Sequence, residues 1–176
     1  ARVKQDAGPW DEDLDFPTHL LPINQFYNLA NFVTMQGAGT NAQPFKTVAD
    51  YDAWLARAGL VPVLFDQAIA NMREGMAQGI VQPRVLMEKV LPQLDQQLVT
   101  KAEDSVLWGP IAKLPEDFSA EDRTRLAAAY TALVMDTLQP AYAKLRAFIA
   151  DEYLPATRDS VGLGALPGGP EWYAYL

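Results

Sequence analysis

At 176 residues the chain has the length of one ordinary domain and can bury a sizeable core. An apolar share of 49% beside a charged share of 20% is a globular mixture and excludes a disordered chain. Fourteen basic against 22 acidic residues leave a net charge of −8 with no Lys- or Arg-rich run, which makes nucleic acid and anionic membrane surfaces poor partners.

Residues 1–22 carry the acidic cluster Asp11, Glu12, Asp13 and Asp15 with Pro9, Pro17 and Pro22, a composition that predicts an extended arm. A helical domain is predicted over 23–157. In "NQFYNLANFVTM" (24–35), Phe26, Leu29 and Phe32/Val33 recur three to four apart, so a short helix should start near Asn24, and "QGAGTNAQP" then breaks it. "TVADYDAWLARAG" (47–59) opens on a Thr-x-x-Asp capping pattern and closes on glycine, with Tyr51, Trp54, Leu55 and Ala58 on its inner face. Pro62 suits the first turn of the next helix, where Leu64/Phe65, Ala68/Ile69, Met72, Met76 and Ile80 follow at fours. Pro83 opens another, striped by Met87, Val90/Leu91, Leu94 and Leu98, and Pro92 should kink it.

The strongest periodic signal is "SAEDRTRLAAAYTALVMDTLQPAYAKLRAFIADEYLP" (119–155). Ser119-x-x-Asp122 caps it, and Leu126, Tyr130, Leu133/Val134, Leu138, Tyr142, Leu145, Phe148/Ile149 and Tyr153 line one face. Pro140 should bend this helix without ending it, since the stripe keeps phase across the proline. Strand-like alternation is nearly absent and no repeat stands out. The expected fold is therefore all-α: about five or six helices in an irregular bundle, with one long Pro-bent C-terminal helix at about 119–154 and a Gly/Pro-rich segment at 158–176.

Chemistry is sparse. The chain has no cysteine, which removes disulfides, thiolate zinc sites and cysteine nucleophiles. Its single histidine, His19 in "FPTHLLP", cannot write a His-Glu-x-x-His pattern. Ser105, Ser119 and Ser160 lie outside any Gly-x-Ser-x-Gly elbow, and "GLGALPGG" (162–169) follows a helix and lacks the Gly-Lys-Ser/Thr ending of a phosphate loop. No catalytic residue, metal ligand or cofactor is assigned to this chain. No apolar run approaches the roughly 18–20 residues of a membrane helix, so no transmembrane segment is expected. A start at Ala1 without a signal peptide leads us to expect a processed or trimmed chain.

Five stretches carry a resemblance: "LLPINQFYNLANF", "QPFKTVADYDAWLARA", "AIANMREGMAQGIVQPRVLMEKVLPQL", "AEDRTRLAAAY" and "YLPATRDSVGLGALPGGPEWYAYL". Together, from about residue 16 to the last and in this order, they resemble the bacterial domain-of-unknown-function 885 family (DUF885). Members look like helical zinc metallopeptidases similar to the carboxypeptidase Taq group, and many are exported or lipid-anchored. The resemblance therefore implies zinc for the parent family and a periplasmic or exported location. Family chains are several times longer, and their His-Glu…His element lies downstream of the segment matching "PGGPEWYAYL". No family catalytic residue can be carried onto this chain.

Two readings follow. In the first, this is the N-terminal, non-catalytic helical portion of a zinc-metallopeptidase-like protein, forming one wall of its substrate cleft. Its partner is then the missing C-terminal part of the same polypeptide, and segment 158–176 leads toward that catalytic half. In the second it is a free-standing helical scaffold or partner-binding module. A cleft surface, if present, is expected at Arg158, Gly168, Gly169, Trp172, Tyr173 and Tyr175, where glycines allow close backbone approach and the aromatic rings pair an apolar body with a polar tip. In the first reading the missing half would cover apolar groups near Trp172, Tyr173, Tyr175 and Leu176, so the isolated chain should expose an apolar patch there or hide it by self-association. A peptide substrate belongs to the first reading.

Overall fold

The structure, a computed structural model, describes residues 17–40 and 42–175; the acidic cluster at 11–15 lies outside them. The described residues are helical, with two isolated bridges, Ile23 with Asn28 and Pro83 with Arg158, and no strands. The helices are α1 (Leu29–Gly37), α2 (Val48–Ala58), α3 (Val61–Ala77), α4 (Arg84–Asp95), the long α5 over 120–156, and α6 (Gly169–Tyr175). The expected all-α bundle with a dominant late helix is what folds.

Local chemistry sets the boundaries. Asn24 does not start α1, as the spacing had predicted; its Oδ1 accepts from the backbone N–H groups of Phe26 and Tyr27, both at 2.8 Å, closing a turn instead. Asn28 is the cap, its side chain accepting from Ala30 N, so α1 begins at Leu29. The Thr47/Asp50 capping box of α2 forms in both directions. α3 stops at a glycine with φ 72°, Gly79, in the left-handed region other side chains avoid. The flanking bonds Ile80 N to Gly75 O (2.8 Å) and Gly79 N to Met76 O (3.2 Å) complete a Schellman motif. Ile80 is therefore buried from the following loop, not from the α3 stripe on which its spacing placed it. Leu64, expected on the inner stripe, is 41% exposed. α4 runs through Pro92 and ends three residues later at Asp95.

The long helix is not regular. It proceeds as α-helix (Ala120–Ala132), π-helix (Leu133–Leu138), α-helix (Gln139–Ala147), π-helix (Phe148–Tyr153) and a last α-turn (Leu154–Ala156). Tyr153 lies 27 residues after Leu126, about 7.5 turns at the 3.6 residues per turn of an α-helix. Its buried side chains, Leu126, Tyr130, Val134, Leu138, Tyr142, Leu145, Ile149 and Tyr153, return to the core in seven steps. Each π-turn carries one extra residue and takes up about 100° of rotation, so two of them absorb the surplus half-turn.

The prolines mark where. A proline ring collides with the carbonyl four residues before it and offers no N–H. For Pro140 and Pro155 those carbonyls belong to Asp136 and Asp151, each inside a π-turn where bonding has widened to i→i+5. The two turns share a pattern, "LVMDTLQP" (133–140) and "FIADEYLP" (148–155): apolar, apolar, x, Asp, x, apolar, x, Pro, repeated 15 residues apart. This corrects the expectation that the chain has no internal repeat.

The remaining helices dock on α5. Tyr142 Oη donates to Ala30 O of α1 at 2.9 Å, and its ring meets Phe65 of α3 edge-on at 5.1 Å. Tyr153 Oη accepts from the Gln82 N–H between α3 and α4 at 2.9 Å. Burial pushes both hydroxyls up to about 12. Tyr51 of α2 stacks near Tyr130 at 6.0 Å and donates to Pro110 O at 3.1 Å. α1 is also stitched to α4 through Gln93 Oε1, which accepts from Asn28 and Asn31 at 3.0 and 3.2 Å. Exposed ion pairs, Arg125–Asp52, Lys144–Asp66, Arg73–Glu152 and Arg146–Asp95, run from α5 to α2, α3 and α4 and orient more than they stabilise.

No membrane-length apolar stretch was expected, yet one is present. The stretch Val48–Ala77, α2 joined to α3, is long and apolar enough by composition to cross a membrane, and a third of its most apolar window is buried. Phe65, Ala68, Ile69 and Met72 from this stretch sit in the core.

Leu133, 7% exposed at the first π-turn, is part of the expected stripe. Leu133→Ala should lower the unfolding free energy by about 2–5 kcal/mol, read by chemical denaturation; an unchanged value would contradict its place in the core.

Candidate functional site

The segment after α5 folds as a cap. Thr157 leaves the helix in extended conformation, and Arg158 runs parallel to the Gln82–Arg84 stretch, with Arg158 N donating to Gln82 O (3.3 Å) and Arg84 N to Arg158 O (2.8 Å). The Arg158 guanidinium is spent on main-chain carbonyls: Nε donates to Val81 O at 3.0 Å, and Nη1 to Ser160 O and Gly162 O at 2.5 and 2.9 Å. Burial lowers its pKa. In this arrangement the fork ties the cap to the α3–α4 connection.

Of the six residues singled out by sequence, Gly168, Gly169 and Trp172 meet within the cap, and Arg158 holds its base. Gly168, with φ 72°, turns the chain against the Trp172 ring; a Cβ there would stand 3.5 Å from it. Gly169 is tighter still, since a Cβ would fall 2.1 Å from Leu163 O. This glycine is what lets α6 seat on the 163–165 turn, with Leu166 buried beneath. Trp172 is half-buried and Tyr173 is 71% exposed. The side chain of Tyr175, and Leu176 altogether, lie outside the described residues.

The larger concavity is elsewhere and was not foreseen. Between α1, the 42–47 loop and the α2–α3 corner lies a groove of about 550 Å³. Trp54, Val33, Ala58 and Val61 make its buried floor; Phe32, Leu60 and Leu64 stand exposed along its sides. The rim is polar, with Gln36, Gln43 and Arg57, whose Nη2 donates to Gln43 Oε1. Beneath Trp54 an aromatic cluster continues through Phe45, Tyr51, Phe118 and Tyr130, with successive centroids 5.1–6.3 Å apart. Spacing gave no signal for it: Leu64 was expected on the inner stripe, and only the structure turns it outward. Among the described residues the lining holds one charged side chain, Arg57. Such a lining suits apolar contacts with a polar anchor at the rim.

The zinc implied by the resemblance does not fit the described residues. His19 is exposed in a 3₁₀ turn (Thr18–Leu20), and no three His, Cys, Asp or Glu side chains converge. A smaller recess of about 290 Å³ beside the first π-turn contains Asp66 and Asp136, but Asp66 is already paired with Lys144 at 2.6 Å.

A family model described as a bacterial protein of unknown function, DUF885, matches residues 2–176. The fold is similar to a crystal structure titled as that of the putative lipoprotein from Colwellia psychrerythraea, with a TM-score of 0.76 at 21% identity. The match covers 87% of this chain and 26% of that one, so this chain spans about a quarter of that protein's length. No curated protein matches it.

Gly169→Ala should loosen the cap: amides of 163–174 will exchange faster while those of α5 hold their protection. Gly164→Ala, with nothing within 4 Å of its Cβ position, should leave the exchange pattern as it is. Equal behaviour of the two variants would contradict the tight seat.

Proposed function

The chain belongs to the bacterial DUF885 family, and on that premise we propose that it is the helical, non-catalytic N-terminal portion of a longer zinc-metallopeptidase-like protein, forming one wall of its substrate cleft. The observation that carries this reading is the disproportion in length: nearly all of this chain aligns with about a quarter of a solved relative. The bundle is thus a folded module that recurs inside a much larger chain. The described residues bring together apolar surface and hydrogen-bonded structure, which suits a wall of a larger fold.

On this reading zinc, its ligands and the general base belong to the remainder of the protein, as does contact with a peptide's scissile bond. We take the 158–175 cap, with Tyr173 exposed at its edge, as a further part of the surface that meets that remainder. An exported or periplasmic setting is part of the same proposal. A second reading, a free-standing helical scaffold or partner-binding module, is favoured by one observation, the open apolar groove beside Trp54.

Metal content separates the two. Elemental analysis is run on the purified 176-residue chain and on the longer product of the same gene, both without affinity tags. The proposal expects no stoichiometric zinc in the former and about one per chain in the latter. One tightly held zinc in the short chain would overturn the assignment of catalysis to the remainder. A zinc-free long product would favour the scaffold.

A further inference from the structure

The exposed apolar side chains of this module are not scattered. Seven of the eleven most exposed large apolar residues among those described fall in two short stretches, 26–35 and 60–64. The groove brings the two together, with Phe32 (52% exposed) on one side and Leu60 (64%) and Leu64 on the other. Val63 continues the face along α3, and Phe26 and Tyr27 stand at the tip of the turn preceding α1. The apolar composition of the α2–α3 stretch has the same meaning: its window is apolar enough for a membrane yet only a third buried, so much of that surface points away from the core.

Large apolar patches on a folded module mark surfaces meant to be covered. We propose that this α1/α2–α3 groove, not the C-terminal aromatic cap, is the main face on which the remainder of the full-length polypeptide packs. The inference rests on the reading of this chain as a module of a longer protein. The solved relative gives the occupant its source: the module occupies 26% of that chain, so about three-quarters of it has to fold against something. The lining gives its chemistry. An apolar floor and sides, with Arg57 and two glutamines at the rim, suit an apolar helix or loop that offers a carboxylate or carbonyl to Arg57. A lipid surface is a poorer match, because the chain carries −8 and, among the described residues, Arg57 is the one cation lining the groove. The groove lies at the opposite end of α3 from Gly79, where a Cβ would stand 3.7 Å from Pro167 of the cap, so the remainder would grip the module at a second place.

The chain has no cysteine, so single cysteines report cleanly. Phe32→Cys and Leu60→Cys probe the groove; Val85→Cys and Val106→Cys are exposed controls outside both the groove lining and the cap. Maleimide labelling rates are compared between the 176-residue chain and the longer product of the same gene, each otherwise free of cysteine. The proposal expects labelling at 32 and 60 to slow at least about tenfold in the longer product, while 85 and 106 change by less. Equal slowing at all four sites, or none at 32 and 60, overturns it. So does protection in the short chain that grows with protein concentration, which assigns the groove to a second copy, or protection that needs added neutral-lipid vesicles, which assigns it to a membrane. A gene that ends at Leu176 overturns it too. Zinc content and labelling are independent, so the metallopeptidase reading can fail while the docking face stands, and the reverse.

Discussion

To hold one face against the core over the 37 residues from Ala120 to Ala156, a helix whose buried side chains recur mostly at fours has to unwind. Regular α-geometry would carry Tyr153 about half a turn away from Leu126 and point it at solvent. Two π-turns keep it inside. Everything else is arranged around the face so preserved: Tyr130 under α2, Tyr142 against α1 and α3, Tyr153 against the α3–α4 connection. Were the phase lost after the first turn, the Tyr142 and Tyr153 hydroxyls would lose their backbone partners together, leaving polar groups of α1 and the α3–α4 connection unpaired in the interior.

Much of this was legible in the sequence. The stripe from Leu126 to Tyr153, the Thr47 and Ser119 caps and the uninterrupted passage through Pro140 all follow from spacing and side-chain chemistry. The π-turns were legible too, in the repeat ending at Pro140 and Pro155, but only to a reader who asks why the spacing averages nearly four. What spacing could not give was set by contacts distant in the chain. Asn24 and Asn28 are equally good caps by type, and Asn24 forms a turn because Ile23 bridges back to Asn28. Leu64 and Phe65 are equally apolar; only the docking of α3 on Tyr142 decides that Phe65 goes in and Leu64 stays out. The groove is the consequence of that choice, and of an α1 that begins five residues late.

Among the described residues, the polar groups singled out by sequence serve the fold. Arg158, which by type could recognise a carboxylate, is committed to three carbonyls, and the glycines at 168 and 169 serve the seat of α6. Sequence reasoning found the cap because glycine and aromatic residues stand out locally. It missed the groove because the groove's walls are 28 or more residues apart, Phe32 against Leu60 and Leu64, and each wall alone reads as an ordinary amphipathic helix.

The phase of the long helix can be tested directly by deletion. Removing Asp136 from the first π-turn while replacing Pro140 with Ala converts that turn to regular α-helix and leaves the downstream face where it was. Removing Ala70 from α3, which has no π-turn, instead rotates Phe65 and Met72 apart by about 100°. By circular dichroism and thermal unfolding, the Asp136 variant is predicted to keep its helix content and a single cooperative transition, while the Ala70 variant loses both. Equal damage from the two deletions would contradict the claim that the π-turns set the phase on which the bundle is built.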